Sequence, residues 1–259
     1  MQFGPYILDR WMVRMIREMC HDLGIKFRAF SDDWVIEMEK SGKTRRVVGY
    51  QFDLNNAAAS GIAQDKVAAY QVLSSRTIPA VPHVLLRTKA GEAQWQAIDW
   101  SLGAVVKPLL GTGGHGIKLF HDATEAKKYI HASGIEAWAA SPLQKVLREV
   151  RLILLDDEVL LAYQKQSVEH EGLKLFNLGQ GATPSTYMPS DRALKLAKDA
   201  QEAIGLRICA VDIFELASGE WKILEVNSGF MMEHYARFSK ENEQNSEQLY
   251  RQVVEKIFE

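Results

Sequence analysis

Cysteine is nearly missing from this chain: 259 residues contain only Cys20 and Cys209, far apart and each in an apolar context. That leaves no disulfide framework and no zinc spacing, so both read as buried thiols of a reducing compartment. Long apolar runs are missing too, none approaching the roughly 20 residues that span a bilayer. The stretch from Ile7 to Cys20 is interrupted by Asp9, Arg10, Arg14, Arg17 and Glu18, so it lacks the pattern of a secretory signal. Neither charge sign dominates. The net charge is −2, and the densest basic cluster, Lys43-Thr44-Arg45-Arg46, reads as a solvated turn between strands, which argues against a nucleic-acid partner. Repeats and low-complexity tracts are absent. The expectation is a cytoplasmic protein with no membrane and no nucleic-acid partner, and a homodimer is left open. With 47% of its residues hydrophobic, the chain can build one large domain or two or three lobes.

The periodicities predict α+β lobes. A helix is expected from about Ile7 to Leu23, stopped by Gly24, then a strand over Ile25 to Phe30 and a hairpin of Trp34 to Met38 with Arg46 to Phe52. Gln64 to Ser74 reads as a helix with Asp65 near its positive end. Strands follow at Val84 to Leu86 and Ala104 to Pro108, a returning strand at Leu119-Phe120, and a short helix from Thr124 to His131. Val150 to Leu155 and Val159 to Tyr163 form a hairpin, residues 166 to 189 a long loop, Asp191 to Ile204 an amphipathic helix, and Ser246 to Phe258 a last helix.

The strongest chemical signal is Ala210-Val211-Asp212-Ile213-Phe214-Glu215-Leu216 and Trp221-Lys222-Ile223-Leu224-Glu225-Val226-Asn227, two strands around a Ser-Gly turn. That register sets Leu216 opposite Trp221, Phe214 opposite Ile223 and Asp212 opposite Glu225. Opposed side chains share a face with Cβ atoms about 5 Å apart, so two carboxylates meet, with Asn227 on the same face. They repel unless a cation lies between them, and two carboxylates with an amide oxygen suit Mg²⁺. The plainer alternative is a surface hairpin, with Glu215 and Lys222 as an ordinary cross-strand ion pair. A bulge would shift the register.

The second signal is Lys107-Pro108-Leu109-Leu110-Gly111-Thr112-Gly113-Gly114-His115-Gly116-Ile117. Glycines let backbone N–H groups approach a phosphate, and a flanking lysine neutralises its charge. The Gly-Lys-Ser/Thr ending of a Walker loop is missing, and a strand follows where a Rossmann fingerprint needs a helix. What remains is a strand–loop–strand flap.

Val105-Val106-Lys107-Pro108 with its flap, followed by Val211-Asp212 and Leu224-Glu225-Val226-Asn227, resembles the ATP-grasp superfamily from about Ile62 to Ala236. Ile62-Ala63-Gln64-Asp65-Lys66 and Ile78-Pro79-Ala80-Val81-Pro82 are similar to segments of cyanophycin synthetase, fused glutathione synthetases, D-alanine–D-alanine ligase and the ribosomal-protein glutamate ligase. The resemblance implies two α+β lobes clasping ATP, residues 62–143 with the flap and 144–259 with the metal site, behind a reduced N-terminal lobe at 1–61. It implies that Lys66, Lys107 and the flap glycines Gly111, Gly113, Gly114 and Gly116 hold ATP phosphates. Gln144, Lys145 and Leu147 would lie along the adenine edge, and Glu149 at the ribose. Arg151, Lys165 and Asn177 would serve phosphate transfer or the substrate, and Asp212, Glu225 and Asn227 would ligate Mg²⁺, or Mn²⁺ in its place. The implied activity is an ATP-dependent carboxylate–amine ligase acting on an amino acid or peptide through an acyl phosphate. A kinase on the same scaffold and a non-catalytic nucleotide-binding module are the alternatives.

A general base for the amine could come from His115, His170, Glu233 or His234. The chain departs from D-alanine ligases at Ala210, where they carry Arg, at Leu175, where a basic residue is common, and at Ser228 to Tyr235, which replaces their Ser/Thr-Pro-Gly. These departures fall where an acceptor substrate would lie.

Overall fold

The computed structural model describes residues 10–89, 91–111 and 113–259. The expected helix start at Ile7 and the flap residue Thr112 lie outside the described residues. The first part runs α1 (Trp11–Asp22), β1 (Lys26–Phe30), β2 (Val35–Lys40), β3 (Lys43–Val48) and β4 (Gln51–Phe52). The middle part runs α2 (Ala57–Gln64), α3 (Lys66–Ser75), β5 (Val84–Arg87), α4 (Glu92–Gln96), β6 (Ala104–Pro108), β7 (Lys118–Phe120), α5 (Ala123–Ala132) and β8 (Ala137–Pro142). The last part runs β9 (Val146–Leu155), β10 (Glu158–Gln166), β11 (Val168–His170), β12 (Leu173–Leu175), β13 (Thr183–Thr186), α6 (Asp191–Ile204), β14 (Ile208–Leu216), β15 (Trp221–Asn227), α7 (Glu233–Ala236) and α8 (Lys240–Lys256).

Three main sheets result, ordered β1-β2-β3-β4, β5-β8-β6-β7 and β13-β10-β9-β14-β15, with a small β11-β12 ribbon. Pairing within them is antiparallel, as the α+β reading requires. On one face of the five-stranded sheet Leu152, Leu154, Cys209 and Val211 pack under Leu196, Ala200 and Ile204 of α6 and Ala59 and Ala63 of α2. On the other face Ile153, Leu155, Ile208 and Ala210 join Met12, Ile16 and Met19 of α1, Ile36, Met38 and Val47 of the first sheet, and Leu249 and Val253 of α8. Each fully buried aliphatic side chain contributes about 1.5–3 kcal/mol relative to exposure. The short N-terminal sheet therefore shares its core with the last part of the chain. Both cysteines are free and buried, and burial pushes the Cys20 thiol up to about 11. No described helix is long and apolar enough to cross a membrane.

Several expectations are corrected. The helix expected over Gln64 to Ser74 is α3, capped as expected by Asp65, whose carboxylate accepts from Val67 N at 3.0 Å and Ala68 N at 2.9 Å. A second helix, α2, however, precedes it and ends at Gln64. Strand β8 has no sequence signature, since Ala137-Trp138-Ala139-Ala140-Ser141 lacks β-branched residues, yet it lies between β5 and β6. The strand expected over Arg46 to Phe52 stops at Gly49, whose φ of +60° favours glycine. The basic cluster is no free turn: Lys43 Nζ donates to Phe258 O at 3.0 Å and Arg45 Nε to Ile257 O at 2.6 Å, closing the end of α8. That helix starts at Lys240, capped by Ser239, six residues before the expected Ser246. The long loop contains β11, β12 and β13.

Candidate active site

Strand pairing places the charged side chains together. Asp212 on β14 stands opposite Arg151 of β9 and opposite Glu225 of β15, while Lys165 of β10 stands opposite Glu149. Directly paired residues share a face, so four neighbouring strands bring these groups and Asn227 to one patch. The register expected for the hairpin holds at Asp212 but not toward the turn. A bulge after Asp212 shifts the pairing, so Ile213 meets Ile223, Phe214 meets Lys222 and Glu215 meets Trp221. The alternative ion pair of Glu215 with Lys222 does not form: Glu215 contacts Arg148 at 2.5 Å and Lys222 contacts Glu220 at 3.7 Å. Only the functional end of the ribbon keeps the simple register.

Asp212 is 2% exposed. Arg151 grips it with two bonds, Nε to Oδ1 at 2.7 Å and Nη2 to Oδ2 at 2.6 Å, the bidentate geometry that suits guanidinium and carboxylate. Lys165 Nζ donates to Asp212 Oδ1 at 2.8 Å and also to Glu149. Burial works against the Asp212 anion, but Arg151 and Lys165 prevail and hold its carboxyl down at about 2. Burial, with Asp212 nearby, raises Glu149 against the pull of Lys165. Lys165 is raised because Asp212 and Glu149 outweigh burial and the Arg151 charge.

The donor set fits a hard divalent cation. The Glu225 carboxylate is half-buried and makes no hydrogen bond or ion pair among the described residues. Asn227 Nδ2 lies 3.5 Å from Asp212 Oδ2, which keeps its amide at the same spot. Asp212 accepts two bonds on each oxygen, which fills the roughly four acceptor sites of a carboxylate, so a cation would have to displace one of these donors. No group of three His, Cys, Asp or Glu able to hold a metal occurs among the described residues. Two carboxylates and one amide are what this patch could offer a cation, fewer than the roughly six ligands a hard divalent ion takes.

The middle sheet contributes the lysines. Lys107 ends β6, 7% exposed. Burial, with Lys66 beside it, brings its ammonium down to about 8 against the pull of Glu225, Glu149 and Asp212. Lys107 thus lies within electrostatic reach of the acidic patch. Lys66 opens α3 and donates to Leu109 O at 3.2 Å and Gly111 O at 2.6 Å, gripping the root of the flap. The flap lies between β6 and β7, which pair as the hairpin expected, Val106 with Lys118 and Ala104 with Phe120. Gly113, Gly114 and Gly116 have positive φ. At Gly114 a Cβ would lie 2.9 Å from Gln180 Oε1, so the flap rests on the turn that follows Asn177. At Gly111 a Cβ would lie 3.0 Å from Pro108 Cβ.

Where the middle sheet gives way to the last one, Gln144 Nε2 donates to Pro142 O at 3.0 Å, and Lys145 O accepts from Ala217 N at 2.8 Å. Leu147 is a bulge residue: Arg148 pairs with Glu215 and Val146 with Leu216, skipping it. A bulge leaves a backbone group free of the ladder, and the Leu147 side chain is 59% exposed. Asn177 Oδ1 accepts from Gly179 N at 2.8 Å, leaving its amide N–H groups available. A Cβ on Gly179 would lie 3.0 Å from His234 Nε2, so His234 joins Asn177 and Gln180 beneath the flap. His115 folds against Gly113, and His170 lies exposed on the β11–β12 ribbon. Glu233 is buried at 2% exposure: its Oε1 accepts from Tyr50 OH at 3.0 Å and Met12 N at 3.5 Å, and its Oε2 has no partner among the described residues. Gln180 and the buried His83 escaped the sequence reading, the first inside a loop and the second inside an apolar run.

The RimK-like ATP-grasp domain profile matches residues 63–249. A probable α-L-glutamate ligase of Vibrio cholerae is 29% identical over 185 residues, covering 68% of this chain and 59% of that protein. A probable α-L-glutamate ligase 2 of Shewanella amazonensis is 31% identical over the same shares. The chain thus spans 59% of the length of these relatives. Among solved structures, D-alanine–D-alanine ligase of Bacillus anthracis complexed with ATP aligns with a TM-score of 0.60 and 16% identity, covering 79% of this chain and 69% of that one. D-cycloserine synthetase DcsG aligns at 0.57 with 17% identity, covering 74% and 70%. These likenesses show the shared fold. With both lobes, the flap and the acidic hairpin in place, the chain belongs to the RimK-like ATP-grasp domain family.

Proposed function

We propose that this chain is an ATP- and Mg²⁺-dependent ligase that joins a carboxylate to an amine through an acyl phosphate, releasing ADP and phosphate. One observation carries the reading: Glu225 of the Asp212–Glu225–Asn227 patch and Lys66, which grips the root of the glycine flap, line one cavity. Asp212, Glu225 and Asn227 would hold the cation. Bound there, Mg²⁺, or Mn²⁺ in its place, supplies charge neutralisation for the phosphates. Lys66, Lys107 and the amides of Gly111, Gly113, Gly114 and Gly116 hold the triphosphate and spread the charge that develops on transfer. The backbone of Gln144, Lys145 and Leu147 borders the adenine, the unpaired Leu147 being best suited. Arg151 and Lys165 keep Asp212 ionised and oriented, with their own charges close enough to steady the transferred phosphoryl group. Glu149, tied to Lys165, must exchange that partner to reach a ribose hydroxyl. Asn177 and His234 lie where an amine would approach, with His234 the candidate base.

Amino acids or peptides are the substrates proposed. The names of the relatives support glutamate as the first compound to test, and a neighbour solved with its precursor peptide supports a peptide acceptor. Two buried thiols accord with a cytoplasmic setting. Of the proposed divisions, 143/144 falls between β8 and β9 whereas 61/62 falls inside α2, and limited proteolysis would test both. The deciding experiment supplies ATP, Mg²⁺, glutamate and pooled amino acids or peptides, and identifies products by mass. An amide product with stoichiometric ADP is expected. A phosphorylated substrate that persists would make the chain a kinase, and nucleotide binding without turnover would make it a binding module.

A further inference from the structure

Residues 78–83 form a strap between the two sheets of the site. Val81 N donates to Ile223 O at 2.8 Å and Ile223 N to Pro79 O at 2.9 Å, laying Ala80 parallel to β15. The chain then enters β5, where Leu85 stands opposite Ala139, itself opposite Lys107. His83, two residues before Leu85, continues the face that carries Lys107. It is 4% exposed. Its Nδ1 lies 2.8 Å from Val81 O, and a carbonyl can only accept, so Nδ1 carries the proton and Nε2 presents a lone pair.

That Nε2 is buried with no hydrogen-bond partner among the described residues. The cavity beside it is lined by Lys66, Tyr70 and Glu225 among others. Burial, then the charges of Lys107 and Lys66, hold the imidazole well below its usual range despite its bond to Val81, so the ring is neutral. An unpaired buried acceptor is costly, and this one belongs to a residue that lines the same cavity as Lys66, whose ammonium has an N–H to spare. Lys66 has three N–H groups and gives two bonds, to Leu109 O and Gly111 O.

We infer that His83 is a positioning residue for the phosphate-binding lysines: its Nε2 accepts, across one water in the cavity that both residues line, the third N–H of Lys66. The ammonium, and the flap root it grips, are thereby held where a nucleoside triphosphate is bound. Only the neutral ring serves, because a protonated one would add a third cation beside Lys66 and Lys107. The inference rests on the reading of those lysines as nucleotide ligands.

Two substitutions separate the roles of the two ring nitrogens. His83→Asn keeps a donor for Val81 O but falls short of the Nε2 position, whereas His83→Gln reaches it with an amide. Binding of a non-hydrolysable ATP analogue with Mg²⁺ is measured by calorimetry, alongside KM and kcat for ATP. The Asn variant is expected to raise Kd and KM about tenfold with kcat within about twofold, the pattern of a lost ground-state contact. The Gln variant is expected to recover most of that loss. Analogue binding by the Asn variant equal to the unaltered protein, or a Gln variant no better than Asn, overturns the role of His83. If the Asn variant does not fold, His83→Leu, which fills the space without an acceptor, replaces it against Gln. If the unaltered protein binds no nucleotide, the nucleotide reading falls and His83 with it. If it binds nucleotide but forms no amide, the ligase reading falls while the comparison of variants still decides on His83.

Discussion

Asp212 joins both halves of the site, touching Arg151 and Lys165 while standing opposite Glu225. Asp212→Asn keeps the shape and removes the charge. Turnover with Mg²⁺ and ATP is expected to fall about 10²–10³-fold, the scale for losing one preorganised electrostatic group. Leaving two buried cations short of their anion is expected to cost about 3 kcal/mol in the apoprotein, read by denaturant titration. An Asn variant with unchanged Mg·ATP binding and turnover would remove Asp212 from the metal site.

Lys107 sets a pH dependence whose sign follows from its lowered value of about 8 against an ordinary 10.5. Below pH 8 the ammonium is charged in folded and unfolded chains alike and carries its burial cost. Between pH 8 and 10.5 the folded chain has shed the proton and that cost is relieved. A triphosphate favours the charged form, so ATP binding is expected to take up a proton above pH 8 and to weaken as pH rises through that value. Calorimetry at pH 9 in buffers of different ionisation enthalpy counts that proton, and none taken up would contradict the assignment.

Among the elements, closure is the role proposed for the flap and coordination that proposed for the hairpin. Gly114 has φ +75° and lies so close to Gln180 that a Cβ would fall 2.9 Å from Oε1. Gly114→Ala is expected to add about 1–2 kcal/mol of backbone strain and to lower kcat/KM for ATP about tenfold. Adding Gln180→Ala should relieve the steric part alone, and a full recovery would show that backbone strain plays no part. In the hairpin, one bulge lets the strands diverge toward the turn while Asp212 and Glu225 stay opposed. Simple counting finds that pair because the bulge lies on the turn side of it. The contacts nearer the turn are misassigned because a one-residue slip changes every later partner.

For the whole molecule, the decisive packing is that of the first sheet on the last part of the chain. Gly229 makes it feasible: a Cβ there would meet Tyr50 O at 2.7 Å and Gln51 Cγ at 2.8 Å. Asn55 Nδ2 donates nearby to Ile208 O at 2.8 Å and Ser228 O at 3.2 Å. Gly229→Ala meets backbone that cannot turn aside, so it is expected to destabilise by about 1–3 kcal/mol. That lowers Tm by several degrees, readable by scanning calorimetry. Unchanged Tm would mean that the two parts are not packed this tightly. The same docking holds Glu233 against Tyr50 and Met12, which turns a residue beside the substrate region into a lobe anchor.

The residue pattern by itself determined the α+β class, the strand–loop–strand flap and the acidic hairpin, because each depends on local order: alternation along a strand, glycines in a loop, a turn between two apolar runs. Only the tertiary structure decided that β8 fills a sheet despite its alanines, that Glu233 bonds to Tyr50 and Met12, that Gln180 meets the flap and that His83 shares a cavity with Lys66. Such contacts join residues far apart in the chain, and no periodicity records them. Asp212 shows both limits. Its place opposite Glu225 is legible from counting along one hairpin, but its bonds to Arg151 and Lys165 exist only because β9 and β10 lie beside that hairpin in the same sheet.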